Sequence, residues 1–417
     1  MISATALTDT VAELSKTFAG QLLQPADAGY DDARNVHNGL IDKRPALIAR
    51  CRCVADIVDA IKLAREQKLE VAVRGGGHNV AGLSTIDGGV MIDLSPMTGI
   101  RVDPKARTAQ AQGGLTWNLF NRETQLHGLA VTGGVISTTG IAGLTLGGGL
   151  GWLMGKHALA LDNLLSVDLV LADGNAVTAS NDDNADLFWA LRGVTASLPD
   201  EFTVFAGLIH APDGSGTKLA AMVLCHCGAL AAGERAAQPI KQFGAPVMDV
   251  IGAMPYSAIN SMLDAAYPRG ALNYWKSNFL ASLSDEAIRT MIDCFAQCPT
   301  PMGQLLIEHF HGAVTRIGTT DTAFPHRAEG YNLLVLSEWM DTKDNDNDAC
   351  TAWARNSYAA MQPFMSSNRY VNYLADDERG DAVAASYGPN YRRLQQLKAK
   401  YDPENFFHMN HNIRPVP

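Results

Sequence analysis

Hydrophobic and polar positions in the first half of the chain follow two periods, which predict an alternation of short strands and helices. Ile57, Ile61 and Ala64 recur at the spacing of one helix face, so a helix is expected over residues 55–64. Short Val-rich segments predict strands at residues 70–74, 89–94 and 167–171. Beyond residue 198 the chain continues with strands and helices that contain fewer glycines.

The first of two glycine clusters, Gly75–Gly77, follows the strand predicted at residues 70–74 and precedes His78. A dinucleotide-binding fingerprint needs its glycines between a strand and a helix. Here a hairpin-like segment leading to another strand is expected, and no G-x-G-x-x-G motif is present. This order argues against a nicotinamide-dependent dehydrogenase. The loop instead offers a run of backbone N–H groups that can surround phosphate oxygens.

The second glycine cluster extends from Gly133 to Gly151 and interleaves glycines with apolar residues. Such a segment is poor as an isolated helix or strand. It is typical of backbone that packs against a flat, buried ligand.

Composition and charge restrict the class of protein. A chain of 417 residues is long enough for roughly two domains. The net charge of −10 argues against a nucleic-acid partner. The sequence has no apolar window of about 18 residues to span a membrane and no signal-peptide pattern, so a cytoplasmic protein is expected.

The seven cysteines and the histidines raise the question of a metal site. The cysteines form local pairs without a second half at metal-site spacing, which favours buried thiols over metal ligands. His309 and His311 are expected on one strand face, where a core or substrate-lining role is favoured because no third ligand is evident. No metal is therefore predicted.

Seven stretches together resemble the berberine-bridge-enzyme-like flavoproteins of the vanillyl-alcohol-oxidase superfamily. They include Arg-Gly-Gly-Gly-His-Asn at residues 74–79, and they lie in the family's order at residues 38–45, 74–79, 87–95, 133–151, 162–164, 370–373 and 401–412. The resemblance implies an α+β fold: a PCMH-type FAD-binding domain of two α+β subdomains, and a substrate domain with an antiparallel sheet and helices. The expected boundaries are 1–195 for the FAD domain, split near 100, 196–365 for the substrate domain, and 366–417 for a segment returning to the FAD domain.

The resemblance also implies the cofactor. His78 matches the family position that bonds to the 8α-methyl group of FAD, although a histidine after three glycines, taken alone, is more often a structural or phosphate-contacting group. The family's second, cysteinyl link falls near Ile136, where this chain has no cysteine, so one covalent bond is expected. The residues expected to bind FAD are Arg74, Gly75, Gly76, Gly77, His78, Asn79, Gly82, Leu83, Gly133, Gly134, Thr139, Gly140, Gly143, Gly147, Gly148, Gly149, Asn163, Asn410 and Asn412.

The activity implied is that of an FAD-linked oxidase acting on a small alcohol, amine or sugar, with molecular oxygen as acceptor. Tyr373 matches the proposed family base, and Tyr370 is assigned to the catalytic site beside it; both are also compatible with packing roles. On a strand, Tyr373 and Asn372 would face opposite sides. A phenol has a pKa near 10 and needs a cationic or hydrogen-bonding neighbour to act near neutral pH. Lys276 is a candidate to lower a neighbouring pKa or to touch the flavin edge, although a surface position is the commoner outcome for a lysine. Substrate identity and oligomeric state are not predicted.

One departure from the family pattern lies after Gly193, where a glycine-rich stretch and a strand are expected but Val194–Ser197 runs directly into Leu198. On the order of 40–50 residues are missing relative to the family's usual length, far more than an ordinary loop. A deleted strand would expose backbone groups and apolar surface. The alternative hypothesis is therefore a degenerate family member with impaired FAD binding.

Overall fold

The computed structural model describes residues 4–180, 182–183, 200–242, 246–341, 347–378 and 381–416. Its N-terminal part contains a four-stranded sheet in the order β1-β2-β4-β3, in which β4 runs parallel to both β2 and β3. The strands are β1 (Gln21–Leu23), β2 (Leu47–Arg50), β3 (Val71–Arg74) and β4 (Val90–Asp93). The helices of this part are α1 (Ala4–Leu14), α2 (Tyr30–Arg34) and α3 (Val54–Glu66).

The hydrophobic pattern located these elements well. Helix α3 confirms the helix predicted over residues 55–64, and its buried Ile61 and Ala64 pack in the core beneath the sheet. Strands β3 and β4 confirm the segments predicted at 70–74 and 89–94. The hairpin expected between them is wrong, because β3 and β4 pair in parallel and residues 75–89 form a crossing loop.

Two antiparallel hairpins and three helices complete the first 180 residues. The hairpins are β5 (Ile100–Asp103) with β6 (Thr108–Ala111), and β7 (Ser166–Val170) with β8 (Ala176–Ser180). Strand β7 confirms the strand predicted at 167–171. The helices are α4 (Trp117–Gln125), α5 (Ile141–Leu146) and α6 (Met154–His157), the last two lying within or just after the second glycine cluster.

The second large sheet is antiparallel throughout, in the order β10-β9-β12-β13-β11. Its strands are β9 (Phe202–His210), β10 (Lys218–His226), β11 (Leu272–Leu280), β12 (Gln304–Phe310) and β13 (Gly330–Trp339). The helices here are α7 (Leu230–Lys241), α8 (Tyr256–Ser261), α9 (Asp285–Ala296) and α10 (Asn347–Met361). Successive strand residues alternate between faces, so Leu333 and Val335 pack against α9 and α10 while Leu334 and Leu336 face Ile136 of the second glycine cluster.

The C-terminal segment contains α11 (Asp381–Tyr387) and α12 (Tyr391–Tyr401). After α12, Phe406 and Phe407 pack against the core of the first sheet. The sequence analysis assumed that Tyr373 lies on a strand, and this assumption is wrong. Residues Val371–Tyr373 form a 3₁₀ turn, so strand alternation does not govern where Asn372 and Tyr373 point. The exact domain boundaries stay a prediction.

The segment predicted to be shortened, after Gly193, lies outside the described residues. All seven cysteines are free thiols. No helix in the described part of the chain is long and apolar enough to cross a membrane. The cytoplasmic location stays a prediction.

Candidate functional site

The two glycine clusters touch each other through their backbones. A Cβ atom added to Gly76 would lie 2.4 Å from the backbone nitrogen of Gly140, and one added to Gly140 would lie 2.4 Å from the nitrogen of Gly76. Neither position can hold a side chain without moving the other loop. Gly77 has a φ of +70°, which also favours glycine. Glycine therefore allows the loop before His78 to lie directly against the second cluster.

His78 is held between two side chains. Its Nε2 lies 2.8 Å from the Thr138 hydroxyl, and its ring stacks on that of His37 with centroids 3.8 Å apart and an interplanar angle of 19°. Burial lowers the pKa of His78 to about 3 and that of His37 to about 4. Both imidazoles are therefore neutral near pH 7, and a neutral imidazole keeps the nitrogen lone pair that bond formation requires.

Arg74 and the turn after His78 shape this loop. The Arg74 Nε lies 3.4 Å from the buried Asp93 carboxylate, and its Nη1 donates to the carbonyl of Ala33 at 2.5 Å. The guanidinium thus holds β3 against its neighbours. The next turn contains three further predicted residues, Asn79, Gly82 and Leu83. In it the side-chain oxygen of Asn79 accepts the N–H of Leu83 at 3.1 Å.

The second cluster is closed by residues from the C-terminal segment. A Cβ on Gly147 would lie 1.9 Å from the Asn372 side-chain oxygen, and the Tyr370 hydroxyl accepts the N–H of Gly149 at 3.2 Å. Gly148 and Gly149 have φ values of +122° and +84°, respectively. Tyr370 is therefore brought to the glycines, as its catalytic assignment requires, but its hydroxyl is engaged in holding their backbone.

The remaining predicted cofactor residues have varied surroundings. The Thr139 carbonyl accepts the N–H of Trp117 at 3.0 Å, and the Gly134 carbonyl accepts the Asn260 amide. A Cβ on Gly133 would meet the Trp117 ring at 2.4 Å, whereas one on Gly143 would meet no atom within 4 Å. The Asn163 amide donates to the carbonyls of residues 157 and 159. Asn410 is exposed and Asn412 half-buried in the C-terminal tail.

Tyr373, which is half-buried, belongs to a row of hydrogen-bonded side chains that sequence reasoning did not foresee. Its hydroxyl donates to Glu308 Oε1 at 3.0 Å, and Glu308 Oε2 accepts from the Asn332 amide at 2.6 Å. Burial raises the pKa of Glu308 to about 7. Burial first, and then the nearby Glu308, raises the pKa of Tyr373 well above its ordinary value. Glu308 is therefore the group of this pair that titrates near neutral pH.

Lys276, His309 and His311 do not take part in the hydrogen bonds that join Tyr373, Glu308 and Asn332. The Lys276 ammonium is buried and pairs with Asp377 at 2.6 Å and Glu378 at 3.3 Å, and, against the effect of burial, its hydrogen bond lowers the pKa of Asp377. Contact between Lys276 and the flavin edge stays a prediction. The rings of His309 and His311 lie 4.8 Å apart, as expected for one strand face. Among the described residues, no group of three or more His, Cys, Asp or Glu side chains is arranged to hold a metal ion.

Buried donors beside the glycines fit a ligand rich in acceptor oxygens. The Nε2 atom of His37, next to His78, has no hydrogen-bond partner within the described structure, and neither terminal nitrogen of Arg327 has one. The Arg327 guanidinium lies 4.5 Å from the Phe324 ring centroid, and that ring would touch a Cβ on Gly148. Buried donors of this kind are normally satisfied. Phosphate and flavin oxygens would satisfy them, so these residues fit FAD.

Two family models match the chain. The model for the FAD binding domain matches residues 45–180, and the model described as berberine and berberine like matches residues 369–414. The first range contains both glycine clusters and His78. The second contains Tyr370, Tyr373 and the C-terminal asparagines.

Curated relatives align over nearly the whole chain. An FAD-linked oxidoreductase of Dictyostelium discoideum is 26% identical, covering 98% of both chains, and (R)-6-hydroxynicotine oxidase of Paenarthrobacter nicotinovorans is 29% identical, covering 95% of this chain and 97% of its own. The first alignment spans 449 positions, more than the 417 residues of this chain, so the relative has residues that this chain lacks. This coverage gives no support to the degenerate alternative.

Solved structures show the same fold. The structure of 6-hydroxy-D-nicotine oxidase from Arthrobacter nicotinovorans superposes with a TM-score of 0.86 at 26% identity, covering 96% of this chain and 99% of its own. Chitooligosaccharide oxidase superposes with a TM-score of 0.84 at 20% identity and supports the fold alone. The fold class expected from the sequence is confirmed. The chain therefore carries the FAD binding domain and the berberine-like segment, is similar to FAD-linked oxidoreductases over nearly its whole length, and is an FAD-dependent enzyme.

Proposed function

We propose that this enzyme is an oxidase that transfers hydride from a small alcohol, amine or sugar to FAD, with molecular oxygen as the final acceptor. The observation that carries the proposal is the hydrogen-bonded pair of half-buried Tyr373 and buried Glu308 on the side of the second sheet that faces the second glycine cluster. FAD, when bound there, supplies the N5 position that accepts the hydride. The protein must then supply a group that takes the proton from the substrate O–H or N–H.

Tyr373 and Glu308 would share that proton transfer. A phenol with a raised pKa is a weak base by itself, but Tyr373 already donates its proton towards Glu308. As the substrate gives its proton to the Tyr373 oxygen, the Tyr373 proton passes to Glu308. A carboxylate with a pKa of about 7 is suited to this task near neutral pH. Asn332 holds the second oxygen of Glu308 and so fixes the carboxylate towards Tyr373.

The cofactor would be bonded to His78 and to no cysteine. The neutral imidazole of His78, set in place by His37 and Thr138, is the nucleophilic form needed to bond the flavin 8α-methyl group. Ile136, at the position of the family's cysteinyl link, is a buried residue that cannot form one. The glycine backbones and the unpaired donors of His37 and Arg327 would contact the rest of FAD.

The choice of oxygen as acceptor rests on the relatives. The relatives named above include a 6-hydroxynicotine oxidase, and a carbohydrate oxidase of Microdochium nivale is 26% identical over 94% of this chain. Their names support a small-molecule substrate for this chain, together with oxygen. They do not decide between an amine, an alcohol and a sugar.

Anaerobic reduction followed by mixing with oxygen tests the proposed function. Purified protein would be mixed with a panel of small amines, alcohols and sugars while the flavin absorbance near its oxidised maximum is followed. At least one class should bleach the flavin, and readmitted oxygen should restore the absorbance with formation of hydrogen peroxide. Bleaching that is reversed by an artificial acceptor but not by oxygen would contradict the oxidase assignment. A folded, flavin-loaded protein that no class of substrate bleaches would contradict the proposal as a whole.

A further inference from the structure

A second buried glutamate lies on the same face of the sheet as Glu308. Glu338 in β13 has no exposed surface, and neither oxygen of its carboxyl group has a hydrogen-bond partner in the described parts of the chain. It is six residues after Asn332, which contacts Glu308, and residues an even number apart on a strand point to the same side. Glu308 accepts hydrogen bonds from Tyr373 and Asn332 and takes part in the proposed proton transfer. Glu338 does neither.

Aromatic rings connect the two glutamates. The ring of Tyr267 packs edge-to-face against Trp275, and Trp275 packs in the same way against Tyr373, with centroids 6.2 Å apart in both pairs. Burial first, and then the proximity of Glu338 and Glu308, raises the pKa of Tyr267, so both carboxyl groups lie close to this tyrosine. Aromatic rings and carboxyl groups together are the surroundings that proteins use to bind organic cations.

The charge of Glu338 restricts what it can bind. An unpaired carboxylate inside a protein is costly, and burial accordingly raises the pKa of Glu338 to about 8. An amine can share the proton of Glu338. A carboxylic acid beside a neutral amine and a carboxylate beside an ammonium ion are both neutral overall, so the pair avoids the cost of an unpaired buried charge. An alcohol or a sugar has no comparably basic atom. The group is therefore matched to an amine more closely than to the other substrate classes.

We propose that Glu338 binds an amino group that a small substrate carries at the end remote from the atoms that react, with Tyr267 and Trp275 in contact with the apolar part of the substrate. This inference rests on the proposed function, since it places the substrate between the second glycine cluster and the sheet face that carries Tyr373. Glu338 is then a specificity-determining residue that selects substrates carrying such an amino group. Its task is separate from the proton transfer by Tyr373 and Glu308.

Calorimetric titration with benzylamine and benzyl alcohol tests this assignment, because the two probes match in shape and differ in basicity. We expect the flavin-containing wild type to bind benzylamine at least about tenfold more tightly than benzyl alcohol, a difference typical of one charge-assisted hydrogen bond. Glu338→Gln keeps the size and polarity of the side chain but cannot carry a negative charge. It should weaken benzylamine binding by about tenfold or more and change benzyl alcohol binding by less than about twofold. Glu234→Gln, an exposed glutamate on α7, should behave as wild type.

Two results would overturn the assignment: equal benzylamine affinity in wild type and Glu338→Gln, or a wild type that binds benzyl alcohol as tightly as benzylamine. The second result decides the question even if Glu338→Gln does not fold. Glu338→Asp, which keeps the charge, should retain the preference for the amine, and its loss there would also count against the proposal. Binding is read without turnover, so failure here is distinct from failure of flavin reduction by every substrate class.

Discussion

The hydroxyl of Tyr373 donates to Glu308 at 3.0 Å, although the two residues are 65 positions apart in the sequence and lie on different elements. Glu308 is on β12 of the antiparallel sheet, and Tyr373 is on the 3₁₀ turn that precedes the C-terminal helices. The pair joins a phenol to a buried carboxyl group that titrates near neutral pH. It would therefore give the proposed tyrosine base the hydrogen-bonding neighbour that it needs.

The rate of flavin reduction should rise with pH through about 7 and then level off. Burial raises the pKa of Glu308 to about 7, and Glu308 accepts a proton only in its deprotonated form, so the rate increases as the carboxylate forms. Glu308→Gln should remove this rise and lower the limiting rate by about 10²-fold or more. The measurement is anaerobic stopped-flow absorbance between pH 5.5 and 9. A rise of the same midpoint in Glu308→Gln would assign the titration to another group.

Tyr373→Phe should lower the rate of flavin reduction by about 10²–10⁴-fold, the usual contribution of a positioned proton acceptor. Flavin content and thermal stability should change little, because the ring and its contact with Trp275 are kept. Tyr331→Phe is a matched control, since that tyrosine stacks on His309 away from Glu308. Equal rates in Tyr373→Phe and Tyr331→Phe would remove Tyr373 from the reaction.

Gly140→Ala should destabilise the contact between the glycine clusters. Its Cβ would lie 2.4 Å from the backbone of Gly76, and overpacking of this kind costs about 1–3 kcal/mol. Gly143→Ala is the control, because its Cβ meets no protein atom and alanine favours the helix α5 in which it lies. Thermal unfolding should show a lower midpoint for Gly140→Ala alone. An unchanged midpoint would show that the two loops are not in contact.

Glu338 should make the enzyme less stable at alkaline pH in the absence of an amine. Burial raises its pKa to about 8 in the folded protein from an ordinary value of 4.5, so the folded state holds the proton more tightly. This contribution is complete below about pH 4.5 and is lost as pH rises towards 8, by about 3–5 kcal/mol. The urea midpoint of wild type should therefore fall between pH 5 and pH 8.5 by more than that of Glu338→Gln. Parallel curves for the two proteins would contradict the raised pKa.

Local signals in the sequence located the elements and the loop that is proposed to bind the cofactor, but not Glu308, the proposed proton-transfer group. Helix α3 and strand β4 were predictable because hydrophobic periodicity reflects burial of one face or of a whole strand. His78 was found through the residues that flank it. Glu308 was not, because its pairing with Tyr373 depends on which strands of a five-stranded sheet are neighbours and on where the C-terminal segment returns. In the sequence, nothing around Glu308 indicates that Tyr373 is its partner.

The contacts of His78 illustrate the same limit. The glycine run before it predicted close backbone approach, and the structure shows which backbone is approached, namely Gly140. The stacking of His37 on His78 was not predictable, because the two residues are 41 positions apart and His37 lies in a loop without a chemical motif. The role of Tyr373 as base stays a prediction. The strand assumed for Tyr373 was wrong, because three residues gave too short a pattern to distinguish a strand from a 3₁₀ turn.

The measurement that tests the central claim most directly is whether FAD is bonded to His78. Wild type and His78→Ala would be denatured in acid and washed, their flavin fluorescence recorded in the gel, and their proteolytic peptides weighed by mass spectrometry. The account predicts fluorescence that stays with the wild-type polypeptide, the mass of FAD added to the peptide containing His78, and neither signal in His78→Ala. Flavin released entirely from the denatured wild type, or attached to a different peptide, would contradict it.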